Sequence, residues 1–249
     1  PATIACQLDL DEVIALDVRE GVDVSLSATA GVGHDVKDRA PGHPPHPILA
    51  GRMKRIYMAG AGGMLGEAFH GHFSPDHELR CTDIDVNEDW LSHLDFRDRD
   101  AYRKEVADFE TDFLFHLGAH TDLEYCERNP DEAYSTNALA VENAVEICRA
   151  LDIPLLYVST AGIFDGAQDV YDDWDTPNPL GHYARSKYAG ELSVLQNTAR
   201  FLICRPGWMM GGGPRKDKKF IAKVIKQLHE GADELFIVED KRGTPTYTH

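Results

Sequence analysis

From Met53 onward, short apolar runs alternate with stretches whose apolar residues recur every three or four positions. The runs RIYMAG (55–60), ELRCTD (78–83), DFLFHLGA (112–119), IPLLYVST (153–160), RFLICR (200–205) and ELFIV (234–238) read as strands. Helical periodicity separates them over about 64–73, 130–151, 182–199 and 217–230. The longest helix is the best marked. Asn129 stands where it can cap it, Pro130 takes the first position where a missing N–H costs nothing, and Glu132 falls in the first turn. Apolar residues at 138, 141, 145 and 148 give it one buried stripe. Strands alternating with helices pair in parallel through right-handed crossovers. The pattern predicts an α/β fold, a doubly wound parallel sheet of the Rossmann type.

Residues 1–52 have another texture, acidic at first and then rich in Pro, Gly and His in RAPGHPPHPILAGR. They read as a poorly ordered extension or linker before a domain at 53–249, where MKRIYMAGAGGMLG resembles an ordinary enzyme start. His34, His43 and His46 lie among prolines that prevent helical ligand spacing, so the cluster is compositional. No metal site is expected there. His116, His120 and His182 show no consistent ligand spacing either.

Of 249 residues, 43% are hydrophobic and 27% charged, as in globular proteins. No apolar run approaches the ~20 residues that cross a bilayer. Acids occupy residues 1–20, where a secretory signal would carry basic ones. The five cysteines are scattered without C-x-x-C spacing and read as reduced thiols of a cytoplasmic protein. A net charge of −17 argues against a nucleic-acid or anionic-membrane partner. It leaves room for a phosphate-bearing small molecule, which local loops bind.

Two patterns point to such a molecule. GAGGMLG places Gly60, Gly63 and Gly66 at a strand-to-helix junction. Gly60 permits the tight turn, Gly63 lets a pyrophosphate approach the backbone, and Gly66 lets helix and strand pack closely. The helix start at Met64 and Leu65 then offers free N–H groups and a positive dipole end. Asp83 closes the second strand 20 residues after Gly63, where a carboxylate accepts from the adenosine ribose hydroxyls. A carboxylate there repels a 2′-phosphate, so the pattern implies NAD(P)(H), with NAD(H) favoured. The second pattern is GHYARSKYAGE (181–191), which puts Tyr183 and Lys187 on one helix face. Alone, a Tyr-x-x-x-Lys spacing arises by chance; its context gives it weight.

Together with HLGAHTDLEYCERNPDEAYSTNALAVENAVEIC, LLYVSTAGIFDG, DTPNPLGHYARSKYAGE and RGTPTYT, these motifs resemble the extended short-chain dehydrogenase/reductase superfamily. Within it the chain is similar to the dTDP-4-dehydrorhamnose reductase family over about 53–249. The resemblance implies a reductase of a keto group on a nucleotide-activated deoxysugar, with Thr160, Tyr183 and Lys187 as the catalytic group. It implies cofactor contacts at Gly118 and Ala119 after the third strand, and at Asp95 and Phe96 in an adenine-contacting turn. It implies a nucleotide-sugar substrate and leaves room for a homodimer. It places the rest of a substrate lobe beyond His249.

In that chemistry Tyr183 donates the proton, Thr160 steadies the developing oxyanion, and the Lys187 ammonium lowers the tyrosine pKa and binds the nicotinamide ribose. Ser159 is the competing hydroxyl, and Thr160 could instead cap the loop. Asn137, inside the long helix, either anchors a water or faces its neighbours. The basic run PRKDKKF (214–220) is either a solvated helix start or brings Arg215, Lys216 or Lys218 to a sugar-nucleotide diphosphate. One departure stands out: the reductases usually read STDYVFDG where this chain reads STAGIFDG, so Ala161 and Gly162 replace an acid and an aromatic. That departure bears on which sugar is taken and on whether turnover is retained. Two other readings remain open, an epimerase or dehydratase with tightly held NAD, and a non-catalytic cofactor-binding subunit.

Overall fold

A computed structural model describes residues 53–217, 219–235, 237 and 243–248. The histidines of the N-terminal segment, Cys6 and Lys218 lie outside them. Six strands form one parallel sheet: β1 (Arg55–Ala59), β2 (Glu78–Asp83), β3 (Leu91–His93), β4 (Phe113–His116), β5 (Leu155–Val158) and β6 (Phe201–Cys204), in the order β3-β2-β1-β4-β5-β6. This is the predicted doubly wound sheet, and its topological switch lies between β1 and β4.

Strand alternation divides the core into two layers. Ile56, Met58, Phe115, Leu156 and Val158 face helix α1 (Met64–Phe73). Tyr57, Ala59, Leu114, Leu155 and Tyr157 face the helices on the other side. Those are α2 (Arg99–Asp108), α5 (Ala140–Leu151) and α6 (His182–Asn197), which contribute Tyr102, Val106, Val141, Val145 and Val194. A sheet covered on both faces needs strands that are apolar on both sides, as these are.

The predicted helix over 130–151 is built in three pieces. A short turn α4 (Pro130–Tyr134) leads into a π-helical turn at Ser135–Leu139 and then into α5. The expected stripe is buried at Ala138, Val141, Val145 and Cys148. Asn129 occupies the N-cap position of α4 but makes no side-chain cap. Its amide donates instead to the Tyr125 carbonyl at 3.1 Å, closing α3 (Leu123–Arg128). The helix expected near 217–230 is Phe220–His229, preceded by a single turn α7 (Gly213–Lys216); we label it α8. Of the strand expected over 234–238, Phe236 and Val238 lie outside the described residues, and residues 234, 235 and 237 are not in a strand. A separate parallel pair, β7 (Trp208–Met210) with β8 (Pro245–Tyr247), uses the RGTPTYT segment instead. Cys81, Cys126 and Cys148 are free thiols, all buried. No helix among the described residues is long and apolar enough to cross a membrane.

Candidate functional site

The site-bearing residues gather at the carboxyl ends of the strands, beside the switch point. Gly60 leaves β1 with a φ of +75°, and its amide donates to the Thr82 carbonyl at 2.8 Å. A Cβ at Gly60 would stand 2.1 Å from the Gly118 Cα, so β1 and the end of β4 are in backbone contact there. A Cβ at Gly66 would lie 1.9 Å from the Ala61 carbonyl oxygen, which is the close packing the spacing predicts. Gly63 is different. It is exposed at the N-cap of α1, and a Cβ there would meet nothing within 4 Å. The open face at Gly63, flanked by the N–H groups of Met64 and Leu65 at the start of α1, fits a pyrophosphate.

Asp83 ends β2 under this turn. Its Oδ2 accepts from the Gly62 amide at 2.8 Å and its Oδ1 from the Asp85 amide at 2.9 Å. A carboxylate has about four lone-pair sites, so capacity remains for ribose hydroxyls. Asp95 is held by Arg97, whose backbone amide and guanidinium donate to it at 2.7–3.0 Å. The Arg97 hydrogen bonds hold its carboxyl below the usual carboxylate range. Phe96 fills the space above Gly118, where a Cβ would come within 2.2 Å of the ring. Asn143 on α5 anchors this turn through the Phe96 carbonyl at 3.2 Å. Ala119 follows Gly118, half-buried on the same strand end.

Thr160, Tyr183 and Lys187 gather around the end of β5. Thr160 is buried just past β5. Its Oγ1 accepts from the Gly162 amide at 3.1 Å, capping the short turn Ala161–Ile163, and the same hydroxyl pulls the proton affinity of the Tyr183 phenol down. Ser159 is engaged elsewhere: it is buried and donates to Glu191 at 2.5 Å. Lys187 is 1% exposed, donates to the Val158 carbonyl at 2.6 Å and lies 4.4 Å above the Tyr157 ring.

Burial dominates the proton affinities here. It pushes the Lys187 ammonium down to about 7, with Glu191 pulling the other way. It raises the Tyr183 phenol above its ordinary value. The expected lowering of the tyrosine by Lys187 does not appear: burial sets the direction, the Thr160 hydroxyl opposes it, and Lys187 is not among the causes.

Sequence reasoning left out or misjudged several groups. Asn137 is fully buried in the π-helical turn; its Oδ1 accepts from the His120 amide at 2.7 Å, and its Nδ2 donates to the His120 carbonyl at 3.0 Å and to Ser186 at 3.1 Å. It thus faces its neighbours and braces the loop after β4 against α6. The basic run divides: Arg215 is largely solvated, whereas Lys216 and Lys219 are drawn into the protein. The Lys216 side chain is 5% exposed and pairs with Glu88 at 3.2 Å and Glu67 at 3.5 Å. Arg215 also turns to Glu88, at 3.7 Å. Lys219 donates to the Thr121 hydroxyl at 2.9 Å and carbonyl at 3.1 Å. Glu191 closes the motif GHYARSKYAGE but was given no role; it is fully buried four residues after Lys187 on the same helix face. That i+4 position was the signal available. Among the described residues, no three His, Cys, Asp or Glu side chains converge as a metal site.

Ala161 and Gly162 leave the position after Thr160 without a carboxylate or an aromatic ring. Asp165, the nearest acid in the motif, is occupied. It accepts from Tyr171 at 2.5 Å, from the Ala167 amide at 2.9 Å and from Asn178 at 2.9 Å, and these bonds hold its carboxyl down to about 2.

Comparison with known proteins agrees with this geometry. Residues 53–249 match the family model described as RmlD substrate binding domain. A dTDP-4-dehydrorhamnose reductase of Mycobacterium tuberculosis is 32% identical over 204 residues, covering 80% of this chain and 64% of its own length. Methionine adenosyltransferase 2 subunit beta of Danio rerio is 26% identical over 79% of this chain and 60% of its own. Among solved structures, the dTDP-4-dehydrorhamnose reductase of Bacillus anthracis, in complex with NADP, superposes with a TM-score of 0.70 at 26% identity, covering 80% of this chain and 68% of that one. The Yersinia enterocolitica reductase does so with a TM-score of 0.64 at 34% identity, covering 72% and 61%. The chain thus spans less than two thirds of the length of the curated relatives it matches. With the glycine turn, the Thr160–Tyr183–Lys187 group and the β7–β8 pair all inside the matched region, the chain belongs to the RmlD substrate binding domain family.

Proposed function

We propose that this protein is an NAD(P)-dependent reductase of a keto group on a nucleotide-activated deoxysugar, with residues 53–249 supplying the cofactor-binding unit. The observation that carries this reading is the half-buried Tyr183, one helical turn from a fully buried Lys187 whose ammonium is held at the end of β5, two residues before Thr160. A reduced nicotinamide, when bound, would supply the hydride that the carbonyl carbon takes up. The chain does the rest. Tyr183 gives its proton to the carbonyl oxygen, so that C=O, hydride and proton balance as an alcohol. A phenol raised by burial stays protonated at neutral pH, the form a donor needs. Thr160 Oγ donates to the developing oxyanion, while the Gly162 amide fixes that hydroxyl in place. Lys187, its ammonium already aimed at the strand end by Val158, binds the nicotinamide ribose and stabilises the phenolate left on Tyr183.

Gly63, Met64, Leu65 and the close-packed Gly60, Gly66 and Gly118 form the pyrophosphate cradle; Asp83 takes the adenosine ribose, and Asp95, Phe96 and Ala119 line the adenine and nicotinamide approaches. The Asp83 carboxylate supports NAD(H), whereas the Bacillus anthracis relative is solved with NADP, so both cofactors belong in the test. The test is loss of reduced-nicotinamide absorbance with dTDP-4-dehydrorhamnose, for the wild type and Tyr183→Phe. Turnover that falls at least about a thousandfold in the variant, with cofactor binding intact, supports the reading. A variant as active as the wild type sinks the assignment of Tyr183.

A non-catalytic cofactor-binding subunit is the second reading. The missing acid at Ala161 and the similarity to methionine adenosyltransferase 2 subunit beta of Danio rerio favour it. Cofactor binding without turnover in the wild type would select it.

A further inference from the structure

Helix α6 presents Tyr183, Lys187 and Glu191 at successive turns of one face. The proposed reduction uses the first two. Glu191 is 0% exposed, and its carboxylate gathers two elements onto the helix. Arg205, the residue after β6, donates through Nη2 to Oε1 at 2.6 Å and through Nε at 3.2 and 3.3 Å. Ser159, the residue after β5, donates its hydroxyl at 2.5 Å. Thr160 follows Ser159 directly. Its backbone is bracketed by the Ser159 amide on the Cys204 carbonyl at 2.7 Å and the Ala161 amide on the Pro206 carbonyl at 2.9 Å. The residue before Ser159, Val158, holds the Lys187 ammonium.

A buried ion pair is seldom the most stable filling for such a space, since desolvating both charges costs several kcal/mol per ion and apolar side chains of similar volume do as well. The charge therefore calls for a role beyond packing. Around Lys187 stand Tyr183 and Glu191 on its own helix, Tyr157 on β5, His116 on β4 and, beyond Glu191, Arg205. Among these Glu191 is the anion. Burial pulls the Lys187 proton off and Glu191 opposes it.

We propose that Glu191 is a positioning residue for the reduction: through Ser159 and Arg205 it locks the ends of β5 and β6 to α6, and its negative charge faces the buried Lys187 ammonium, so that Thr160, Tyr183 and Lys187 act as one unit. This rests on the reductase reading for its kinetic consequence, but not for its electrostatic one.

The test uses full-length protein carrying ¹³C-labelled lysine, with the Lys187 resonance assigned by its loss in Lys187→Arg. Its titration is followed in the wild type, in Glu191→Gln and in the double variant Glu191→Leu/Arg205→Leu, alongside kcat and KM. In Glu191→Gln, Arg205 keeps Asp173, at 3.7 Å from its carboxylate and 3.3 Å from its carbonyl, while the double variant removes both charges of the pair and keeps an apolar filling. In both variants the Lys187 midpoint is expected to fall by about one pH unit, a tenfold loss of proton affinity. Turnover should fall about tenfold at neutral pH, carried in kcat rather than in sugar KM. An unmoved Lys187 midpoint, or wild-type kcat in the double variant, reduces Glu191 to packing and overturns the proposal. If the wild type itself does not turn over, the reductase reading fails, while the lysine titration still decides whether Glu191 governs Lys187.

Discussion

Replacing Gly63 and Gly66 by alanine, one at a time, separates binding from stability within a single turn. At Gly66, inside α1, alanine would ordinarily gain about 1 kcal/mol in helix propensity. Here the new Cβ falls 1.9 Å from the Ala61 carbonyl oxygen, 2.5 Å from its carbon and 2.6 Å from its Cα. All three are backbone atoms, so no side chain can swing away and α1 must move off the turn. Forced repacking of this kind costs about 1–3 kcal/mol or more, which exceeds the propensity gain. The expectation is a lower unfolding midpoint in the absence of any ligand.

At Gly63 the backbone, φ −83° and ψ −173°, suits alanine, and the Cβ enters open space. Lost capping tendency and reduced unfolded-state freedom nearly cancel, leaving stability within about 1 kcal/mol of the wild type. The methyl group instead occupies the approach to the α1 N-terminus. Cofactor affinity should drop at least about tenfold, which removes about 1.4 kcal/mol of ligand-induced stabilisation at saturating concentrations. Thermal unfolding with and without NADH, and NADH titration by fluorescence, read both terms. Wild-type affinity in Gly63→Ala would show that no pyrophosphate passes over that residue. An unchanged midpoint in Gly66→Ala would refute the backbone contact.

Asp83→Asn removes the charge facing a 2′-phosphate while leaving an acceptor for the Gly62 amide. The ratio of kcat/KM for NADPH over NADH should rise about tenfold, since unit charges near 4 Å interact by about 1–4 kcal/mol. An unaltered ratio would place the ribose elsewhere. His116 offers a stability test. It is fully buried, and desolvation, reinforced by Lys187, lowers it to about 3 from an ordinary 6.5. Between those values the unfolded chain binds a proton that the folded one refuses, so stability is complete above pH 6.5 and falls as pH drops towards 3. The limiting slope is about 1.4 kcal/mol per pH unit. His116→Gln, which can still partner the Tyr102 hydroxyl, should flatten that part of the urea-midpoint profile, and an equally steep profile would dismiss His116 as its source.

The β1–turn–α1–β2 unit was legible nearly to the residue because glycines and Asp83 punctuate it. The three-residue β3 was not, being too short to show alternation. Helix α2 escaped notice because it buries only Tyr102 and Val106 amid charges, although Asp98 caps it by accepting from the Ala101 amide. The β7–β8 pair joins segments more than thirty residues apart in sequence, so neither strand's own pattern announces its partner. In the site, i+4 spacing found Tyr183 and Lys187, and the family resemblance favoured Thr160 over Ser159. That Glu191 takes the Ser159 hydroxyl, a contact across 32 positions, was not legible in either residue's own surroundings. The same limit hid the basic run: whether Lys216 meets solvent, a phosphate or two glutamates depends on where α7 lands, not on its composition.

The π-helical turn at Ser135–Leu139 makes the long helix a converter between two angular phases. One surplus residue turns everything upstream by about 100° relative to an unbroken helix. Downstream, Val141, Val145 and Cys148 keep their bearing on the sheet; within the turn, Asn137 is aimed at the loop after β4 and at Ser186. No uniform α-helix through this stretch serves both surfaces. Deleting a single residue here would therefore regularise the backbone and yet disconnect the loop after β4 from α6, so chain length is fixed at this point inside a helix more strictly than in the loops that surround it.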